Sequence, residues 1–406
     1  MSDPSTSDPV RLEIADLVYP GRGLARLDGC VIFVPGVLPG ETVSARITKK
    51  KKNYAEAELL DVESPSPDRI GPACPLSGRC PGCSYQHLEY GAEIRIKEAQ
   101  FSELLRRLGK ISDPPVREPV PSPRPLGYRN KITLHAGPGP AARPLLGYYG
   151  FDNRTVIDIP ACPLARTEIN RCLDGLRNDG EFTTGLRPGE SVLLRWTKAD
   201  GAVVRRGREK GKRIRLTETT RLGEVAVPLG SFFQVNLPVA DLLLKRLAAV
   251  ISRFAPAATI DLYCGSGLFS LAGGQAGVPA VLGIDRDGEA VEAARENARR
   301  RDLAGLQFEN LSALDGLRFG LAPLDPDETL LIIDPPRSGL EKEVLRLIAR
   351  SGPVSLVYVS CGPDTLARDA RILSGAGYRI EETGIYDMFP RTPHFESLTV
   401  FRRPPR

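Results

Sequence analysis

Residues 258–270, ATIDLYCGSGLFS, decide the fold of this chain. A short apolar run leads straight into Gly265 and Gly267, so a strand ends on a tight loop. Without side chains, that loop lets the backbone pass close to a ligand. Downstream, four further apolar runs alternate with helical stretches: AVLGID (280–285), LQFEN (306–310), TLLIID (329–334) and SLVYVS (355–360). Upstream, a helix is expected from about Leu237 to Phe254. Such alternation predicts a parallel sheet covered on both faces. The last two runs, YRIEETGIYD and ESLTVFRR, lie too close together for a helical crossover, so one of them should run antiparallel.

The first sixty residues have a different character. RLEIADLV, CVIFVPG, ETVSARIT and YAEAELLDV are short and apolar with Pro and Gly turns, and five such strands fit an oligonucleotide-binding-type barrel. SPSPDRIGP, from Ser64 to Pro72, is a linker by composition. A helix from about Glu89 to Leu108 follows, with apolar positions Ile94, Phe101, Leu104, Leu105 and Leu108. From about Val116 to Leu229 the pattern returns to strands and turns. The expected division is therefore 1–63 as a barrel, 64–88 with 116–230 as a central β domain, 89–115 as a helix packing on the catalytic domain, and 231–406 as the α/β domain.

With 406 residues, 41% apolar and 26% charged, every part can bury a core. No run of about 18 uncharged apolar residues occurs, which predicts no transmembrane helix and no membrane partner. Met1 to Pro9 is polar rather than a signal peptide, so a cytoplasmic protein is expected. The net charge is only +5, but its distribution is informative. Lys49 to Lys52 are contiguous, and Arg205, Arg206, Arg208, Lys210, Lys212, Arg213 and Arg215 fall within eleven positions. These clusters read as phosphate contacts to nucleic acid or as solvated hairpin tips. Tyr54, Tyr128, Arg124, Arg129 and Lys131 add stacking rings and cations.

Asp285 ends the second strand, twenty residues past Gly265, where a carboxylate can accept both hydroxyls of a ribose. A GxG loop without a third glycine favours S-adenosylmethionine over NAD, because a sulfonium ligand has no pyrophosphate to cradle. The fourth strand exits through Asp334-Pro335-Pro336-Arg337, in which two prolines hold Asp334 rigidly; the sequence departs from the Asn-Pro-Pro-aromatic pattern of enzymes that methylate exocyclic amines. The fifth strand delivers Cys361 to the same edge. Methyl transfer to carbon 5 of uracil needs a thiolate that adds to carbon 6 and a base that removes the carbon 5 proton. Cys361 is the candidate nucleophile and Glu396, in TPHFES, the candidate base, with His394 a neighbour. Cys264 also ends a strand, but inside the cofactor loop, and is assigned to packing. Eight cysteines in a chain with no signal peptide argue for metal or catalysis rather than disulfides. Cys74, Cys80 and Cys83 are gathered in CPLSGRCPGC and Cys162 stands apart in IPACPL; by spacing alone zinc is an equal or better reading than iron–sulfur.

Taken in order, the barrel, the four cysteines, SFFQVN, DLYCGSG, IIDPPR, VSCGP and PHFES resemble the RNA uracil-C5 methyltransferases over nearly the whole chain. The resemblance implies a class I, Rossmann-like methyltransferase domain behind a TRAM-like barrel (Arg11 to Val62) and a central β-rich domain. It implies that Cys361 is the nucleophile and Glu396 the base, and that Gln234, Tyr263, Asp285 and Asp334 contact S-adenosylmethionine. It also implies that Cys74, Cys80, Cys83 and Cys162 hold a 4Fe–4S cluster, and that a uridine is flipped into the pocket. Phe232, Phe233, Phe389 and Phe395 are stacking candidates, and Asn236 and Pro238 suit the start of a helix. Leu268 stands where many members carry Asn, and Asp285 where Glu is common. The expected partner is RNA, ribosomal in preference to transfer RNA, with no obligate protein partner. The competing readings are an RNA-binding protein with a vestigial methyltransferase fold and a cytosine-C5 methyltransferase. The first should have lost one of Cys361, Glu396 or Asp334, and the second should carry its cysteine after a proline on the fourth strand.

Overall fold

Alternating burial over the N-terminal residues produces six strands rather than five: β1 (Val10–Glu13), β2 (Asp16–Val18), β3 (Arg22–Leu27), β4 (Cys30–Pro35), β5 (Thr42–Lys50) and β6 (Tyr54–Ser64). The computed structural model describes residues 8–139, 144–207 and 214–405. The first sheet is ordered β1-β5-β6-β4-β3-β2. Its two edge strands are consecutive in the chain, separated only by Ile14 and Ala15, so the sheet closes on itself. The interior is filled by Leu12, Ile32, Val34 and Val43 with small Ala25, Ala45, Ala55 and Ala57, as a narrow barrel requires.

Helix α1 (Tyr90–Arg107) starts where the Glu89 carboxylate accepts the Ala92 N–H at 2.8 Å. Its Phe101 and Leu105 are buried in the same core as the last domain, with the Phe101 ring edge-on to Phe395 at 5.7 Å. Its other side joins the barrel through a separate apolar cluster of Leu17, Leu38, Tyr85, Leu88 and Ala92.

The central region contains an antiparallel sheet ordered β11-β10-β7-β8-β9. Its strands are β7 (Lys131–Gly137), β8 (Leu145–Tyr149), β9 (Val156–Asp158), β10 (Ser191–Thr197) and β11 (Gly201–Arg206). Ile169 and Leu173 of α2 (Thr167–Asn178) belong to the core of this sheet. That helix and the short α3 (Gly180–Thr184) were not expected in a stretch read as strands and turns. The hairpin β12 (Arg215–Thr220) and β13 (Gly223–Pro228) leads to α4 (Leu237–Phe254).

The final region is a seven-stranded sheet ordered β16-β15-β14-β17-β18-β20-β19. Its strands are β14 (Ala258–Leu262), β15 (Ala280–Asp285), β16 (Leu306–Asn310), β17 (Thr329–Ile333), β18 (Ser355–Ser360), β19 (Arg379–Tyr386) and β20 (Glu396–Arg402). Every strand is parallel except β20, which pairs antiparallel with both β18 and β19. The two apolar cores lie on opposite faces. One includes Leu243, Leu247 and Ile251 of α4 with Leu271 of α5 (Leu268–Gln275), and the other Leu317 of α7 (Ala313–Leu321), Leu345 of α8 (Lys342–Ser351) and Leu366 and Leu373 of α9 (Pro363–Gly375) with Phe101 of α1; α6 (Gly288–Arg299) lies between α5 and α7 in the chain. The strand order reverses between β14 and β17, and a crevice at such a switch point, beyond the carboxyl ends of the strands, is where ligands bind.

Candidate active site

The glycine loop follows β14 and opens α5 (Leu268–Gln275). Gly265 has φ +53°, and a Cβ there would meet nothing within 4 Å, so the backbone faces open space. Gly267 has φ +84°, and a Cβ there would lie 3.0 Å from Ala294 Cβ, because the loop is pressed onto α6 (Gly288–Arg299). Tyr263 takes the left-handed conformation too, at φ +66°. Cys264 is buried in an apolar cluster with Val291, Ala294, Ala298 and Phe308.

Asp285 is fixed at the end of β15 by two backbone N–H donors, Gly265 to Oδ2 and Asp287 to Oδ1, both at 2.8 Å. Asp287 in turn caps α6 and accepts the Ser231 hydroxyl at 2.7 Å. Gln234 lies between Ser231, tied to this corner, and Asn236, whose side chain donates to Ser122 Oγ at 3.0 Å and to the Met388 carbonyl at 3.4 Å. Asn236 therefore occupies the cap position of α4 without capping it through its side chain. Among the described residues, buried polar atoms without a hydrogen-bond partner on these segments include Gln234 Oε1, Asn236 Oδ1, Asp261 Oδ1, the Tyr263 hydroxyl, Ser266 Oγ, His394 Nδ1 and Glu396 Oε2. Such orphans are costly and rare in a folded core, and their concentration at one sheet edge fits a polar ligand. Asp261 and Ser266 were not singled out from sequence. Asp261 accepts the Ser270 hydroxyl at 2.6 Å, and burial reinforced by Asp285 pushes its carboxyl up to about 7.

Beside this crevice three acidic groups meet. The β18–β20 ladder pairs Ser360 with Ser397, so one step further the register sets Cys361 opposite Glu396, and the Ser397 hydroxyl donates to the Ser360 carbonyl at 3.2 Å. Asp334 follows β17, the strand on the other side of β18, and its N–H donates to the Leu262 carbonyl at 3.3 Å. Burial, with Asp261 and Asp285 nearby, raises the Asp334 carboxyl to about 8. Burial and Asp334 raise Glu396 well above the carboxylate range, against the pull of Arg337. Burial, Glu396 and Asp334 push the Cys361 thiol up to about 12, with Arg337 again opposing. Arg337 Nη1 lies 3.3 Å from His394 Nε2, and burial together with Arg337 lowers that imidazole to about 4, which keeps it neutral. A cation entering here would be welcomed by four carboxyl groups: Asp261, Asp285, Asp334 and Glu396.

Cys74, Cys80, Cys83 and Cys162 line a single cavity of about 240 Å³ together with Arg129 and Tyr148. Cys162 is held by α2, where Asn170 accepts its N–H at 2.9 Å and donates to its carbonyl at 3.0 Å. Among the described residues, no group of three or more His, Cys, Asp or Glu is close enough to hold a single metal ion.

Several surface expectations change. Phe233 is 5% and Phe395 0% exposed, so both are core, whereas Phe232 is 64% exposed with the Lys131 ammonium 5.9 Å above its ring. Phe389 packs, partly buried, against the core on the α4 side. Lys49 and Lys50 end β5 rather than sitting in a loop, and the Tyr54 ring meets Phe33 edge-on at 5.6 Å. Arg206 pairs with Glu190, and Arg215 with Glu292 and Glu296, so part of the second basic cluster is neutralised internally. Arg208, Lys210, Lys212 and Arg213 lie outside the described residues, as do residues 1–7 of the N-terminal segment. No helix among the described residues is long and apolar enough to cross a membrane.

Comparison with known proteins completes the picture. Residues 225–403 match the tRNA (uracil-5-)-methyltransferase family and residues 9–60 the TRAM domain. The chain is 33% identical to a 23S rRNA (uracil(1939)-C(5))-methyltransferase of Acidithiobacillus ferrooxidans, with 98% of each chain covered. It is 31% identical to an uncharacterized RNA methyltransferase of Gloeobacter violaceus, with 97% of this chain and 96% of the relative covered. The crystal structure of a Pyrococcus abyssi tRNA (uracil-54, C5)-methyltransferase in complex with S-adenosyl-L-homocysteine is similar throughout, at TM-score 0.74 and 25% identity over 97% of this chain and 100% of that one. A glycine loop at the switch point of a class I sheet, a TRAM barrel ahead of it and this similarity over the full length lead to one conclusion: the chain belongs to the S-adenosylmethionine-dependent RNA (uracil-C5-)-methyltransferases.

Proposed function

We propose that this enzyme methylates carbon 5 of a specific uridine in large-subunit ribosomal RNA, in the cytoplasm, through a covalent bond between Cys361 and carbon 6 of the base. The observation that carries this reading is the β18–β20 register, which ends with Ser360 opposite Ser397 and so brings Cys361 and Glu396 side by side at one edge of the sheet. The Cys361 thiol gives up its proton to solvent, a loss that Arg337 favours; its Sγ then adds to carbon 6 as a thiolate, and the electron pair shifts towards carbon 5 and the carbon 4 oxygen. Bound S-adenosylmethionine supplies an electrophilic methyl group. Once carbon 5 carries that methyl group, Glu396 removes the remaining carbon 5 proton, and the electrons of that bond expel the thiolate from carbon 6. Glu396 acts there as the carboxylate, the form that Arg337 favours, and its burial makes that carboxylate a strong proton acceptor. Gln234, Tyr263 and Asp285 hold the cofactor. Their support is the orphaned Gln234 and Tyr263 atoms and the rigidly held Asp285 carboxylate beside the open Gly265 backbone. Asp334 contacts the cofactor and the uracil edge.

We further propose that Cys74, Cys80, Cys83 and Cys162 bind a 4Fe–4S cluster. The support for the cluster is that four cysteines, three from one loop and the fourth from the central region, line one cavity. The cluster ties the cysteine loop to the central sheet and takes no part in methyl transfer. The working division remains 1–63, 64–88 with 116–230, 89–115 and 231–406. The Acidithiobacillus relative favours ribosomal RNA, and the Pyrococcus structure keeps transfer RNA as the second reading. Tritium release from unmethylated ribosomal and transfer RNA labelled at uracil carbon 5 tests the proposal. Release from ribosomal RNA that depends on S-adenosylmethionine supports it, release from transfer RNA alone moves the substrate, and none from either sinks the C5 reading.

A further inference from the structure

Tyr19 belongs to the barrel, yet its ring stands edge-on to His394 of the catalytic domain, with centroids 6.5 Å apart. It follows β2 directly, and the turn is closed by the Gly21 N–H to the Val18 carbonyl at 2.7 Å. Three observations show that this turn is held over the active site rather than lying there loosely. Gln100 of α1 donates to the Leu17 carbonyl at 2.5 Å. Gly21 is packed so closely that a Cβ would meet Ser84 Cβ at 3.0 Å and the Tyr85 ring at 3.1 Å. The Ser84 and Tyr85 N–H groups both donate to the Arg391 carbonyl, in the loop that leads to Glu396. The phenol also feels the charges of Asp364, Arg337 and Cys361, so it shares their electrostatic surroundings at the pocket mouth.

The rim thus consists of a half-buried phenol, a neutral imidazole and a guanidinium. Arg337 is exposed and forms no ion pair with a carboxylate among the described residues, although its tip touches His394. Two flat rings beside a cation make a surface for a nucleotide: a base stacks on a ring while the phosphate meets the guanidinium. We propose that Tyr19 is a positioning residue supplied by the barrel, whose ring stacks on a base of the RNA strand at the mouth of the pocket while Arg337 meets the adjoining phosphate. The inference rests on the reading of this pocket as a uridine site and adds to it a role for the barrel in seating the strand beside the reacting base. It also accounts for the fastening of the β2–β3 turn to both α1 and the catalytic loop.

The test compares Tyr19→Phe, Tyr19→Leu and Tyr19→Ala in the full-length protein. The readouts are affinity for a fluorescent twelve-residue oligouridylate, affinity for S-adenosyl-L-homocysteine, melting temperature, and methylation of unmethylated ribosomal RNA. Stacking of one base predicts about a tenfold or greater loss of oligouridylate affinity for Tyr19→Leu and Tyr19→Ala, with Tyr19→Phe near wild type. The homocysteine ligand should bind all four proteins equally. Tyr19→Leu fills the same apolar space, so a wild-type oligouridylate affinity in that variant overturns the proposal. Equal losses in Tyr19→Phe and Tyr19→Leu overturn it as well, because the aromatic face would then be irrelevant. Failure of the wild-type protein to methylate RNA would strike the uridine-site reading instead, and the binding comparison would still decide the role of Tyr19.

Discussion

Lys97→Met should be among the most damaging single substitutions outside the reaction centre. The Lys97 ammonium lies 2.7 Å from Glu93 Oε1 and 2.7 Å from Asp387 Oδ1, and all three side chains are fully buried. The Tyr90 hydroxyl donates to Asp387 at 2.8 Å, and the Arg391 N–H to Glu93 at 2.7 Å, with the Arg391 guanidinium 3.6 Å from the same carboxylate. Two carboxylates are thus balanced by two cations. Burial already pushes Glu93 up to about 7, so loss of the lysine would leave one carboxylate to take up a proton or remain unpaired. Breaking a buried pair from one side costs about 3–5 kcal/mol. For a domain of this size that corresponds to a melting temperature about 6–20 °C lower. The network also fixes Asp387 to Arg391, the segment that leads to Glu396, so turnover should fall at temperatures where the variant remains folded. Differential scanning calorimetry and single-turnover methylation read the two effects. The double change Lys97→Met and Asp387→Asn removes one charge of each sign, leaves Glu93 beside Arg391, and should recover more than half the loss. A melting temperature within about 2 °C of wild type for Lys97→Met alone would refute this account of the network.

Three further outcomes are expected. Glu396→Gln should accumulate a methylated, denaturation-resistant protein–RNA adduct, because carbon 5 keeps its proton; free release of methylated RNA removes Glu396 from the mechanism. The carboxyls of Asp334 and Asp261, at about 8 and about 7, are mostly protonated at pH 6, and a sulfonium favours their charged forms. Binding of S-adenosylmethionine should therefore release protons, and its affinity relative to neutral S-adenosylhomocysteine should rise several-fold between about pH 6 and pH 8; a constant ratio in titration calorimetry contradicts this. Protein purified without oxygen should contain iron and lose it in Cys162→Ser, whereas zinc without iron would exclude the cluster.

The methyltransferase sheet was legible because its strands are buried on both faces and so read as near-continuous apolar runs, such as TLLII of β17. The barrel was legible in kind but not in strand count, since the corner at Ile14 and Ala15 falls inside one apolar run and splits it into β1 and β2. Helix α2 was missed although Ile169, Cys172, Leu173 and Leu176 recur at helical spacing, because the surrounding strands set the local expectation. Exposure was not legible at all. Phe232 and Phe233 are neighbours in SFFQVN, yet only the structure shows that the first faces solvent and the second the core. Asp261 was overlooked because a polar residue in a strand normally faces water, and here it sits fully buried on a central strand. Tyr19 carries no local signal, since its ring partner His394 lies more than 370 residues away in the chain.

The reversed strand β20 explains why two distant residues can form one site. In a purely parallel sheet only the residues after each strand reach the ligand edge, and each is separated from the next by a helical crossover. Because β20 runs the other way, the residue that opens it arrives at the same edge as the residue that follows β18. Glu396 and Cys361 therefore meet with no helix between them in space, although α9 and β19 separate them in sequence. The arrangement depends strictly on register. A slip of one residue along the β18–β20 ladder would send the Glu396 side chain to the opposite face of the sheet. The pairings from Ser355 with Arg402 to Ser360 with Ser397 run without a bulge, whereas the β19–β20 ladder next to it is interrupted between Ile380 and Glu382. The irregularity falls on the outer pairing and at the end remote from Glu396, and the regular ladder is the one that aligns thiol with carboxyl.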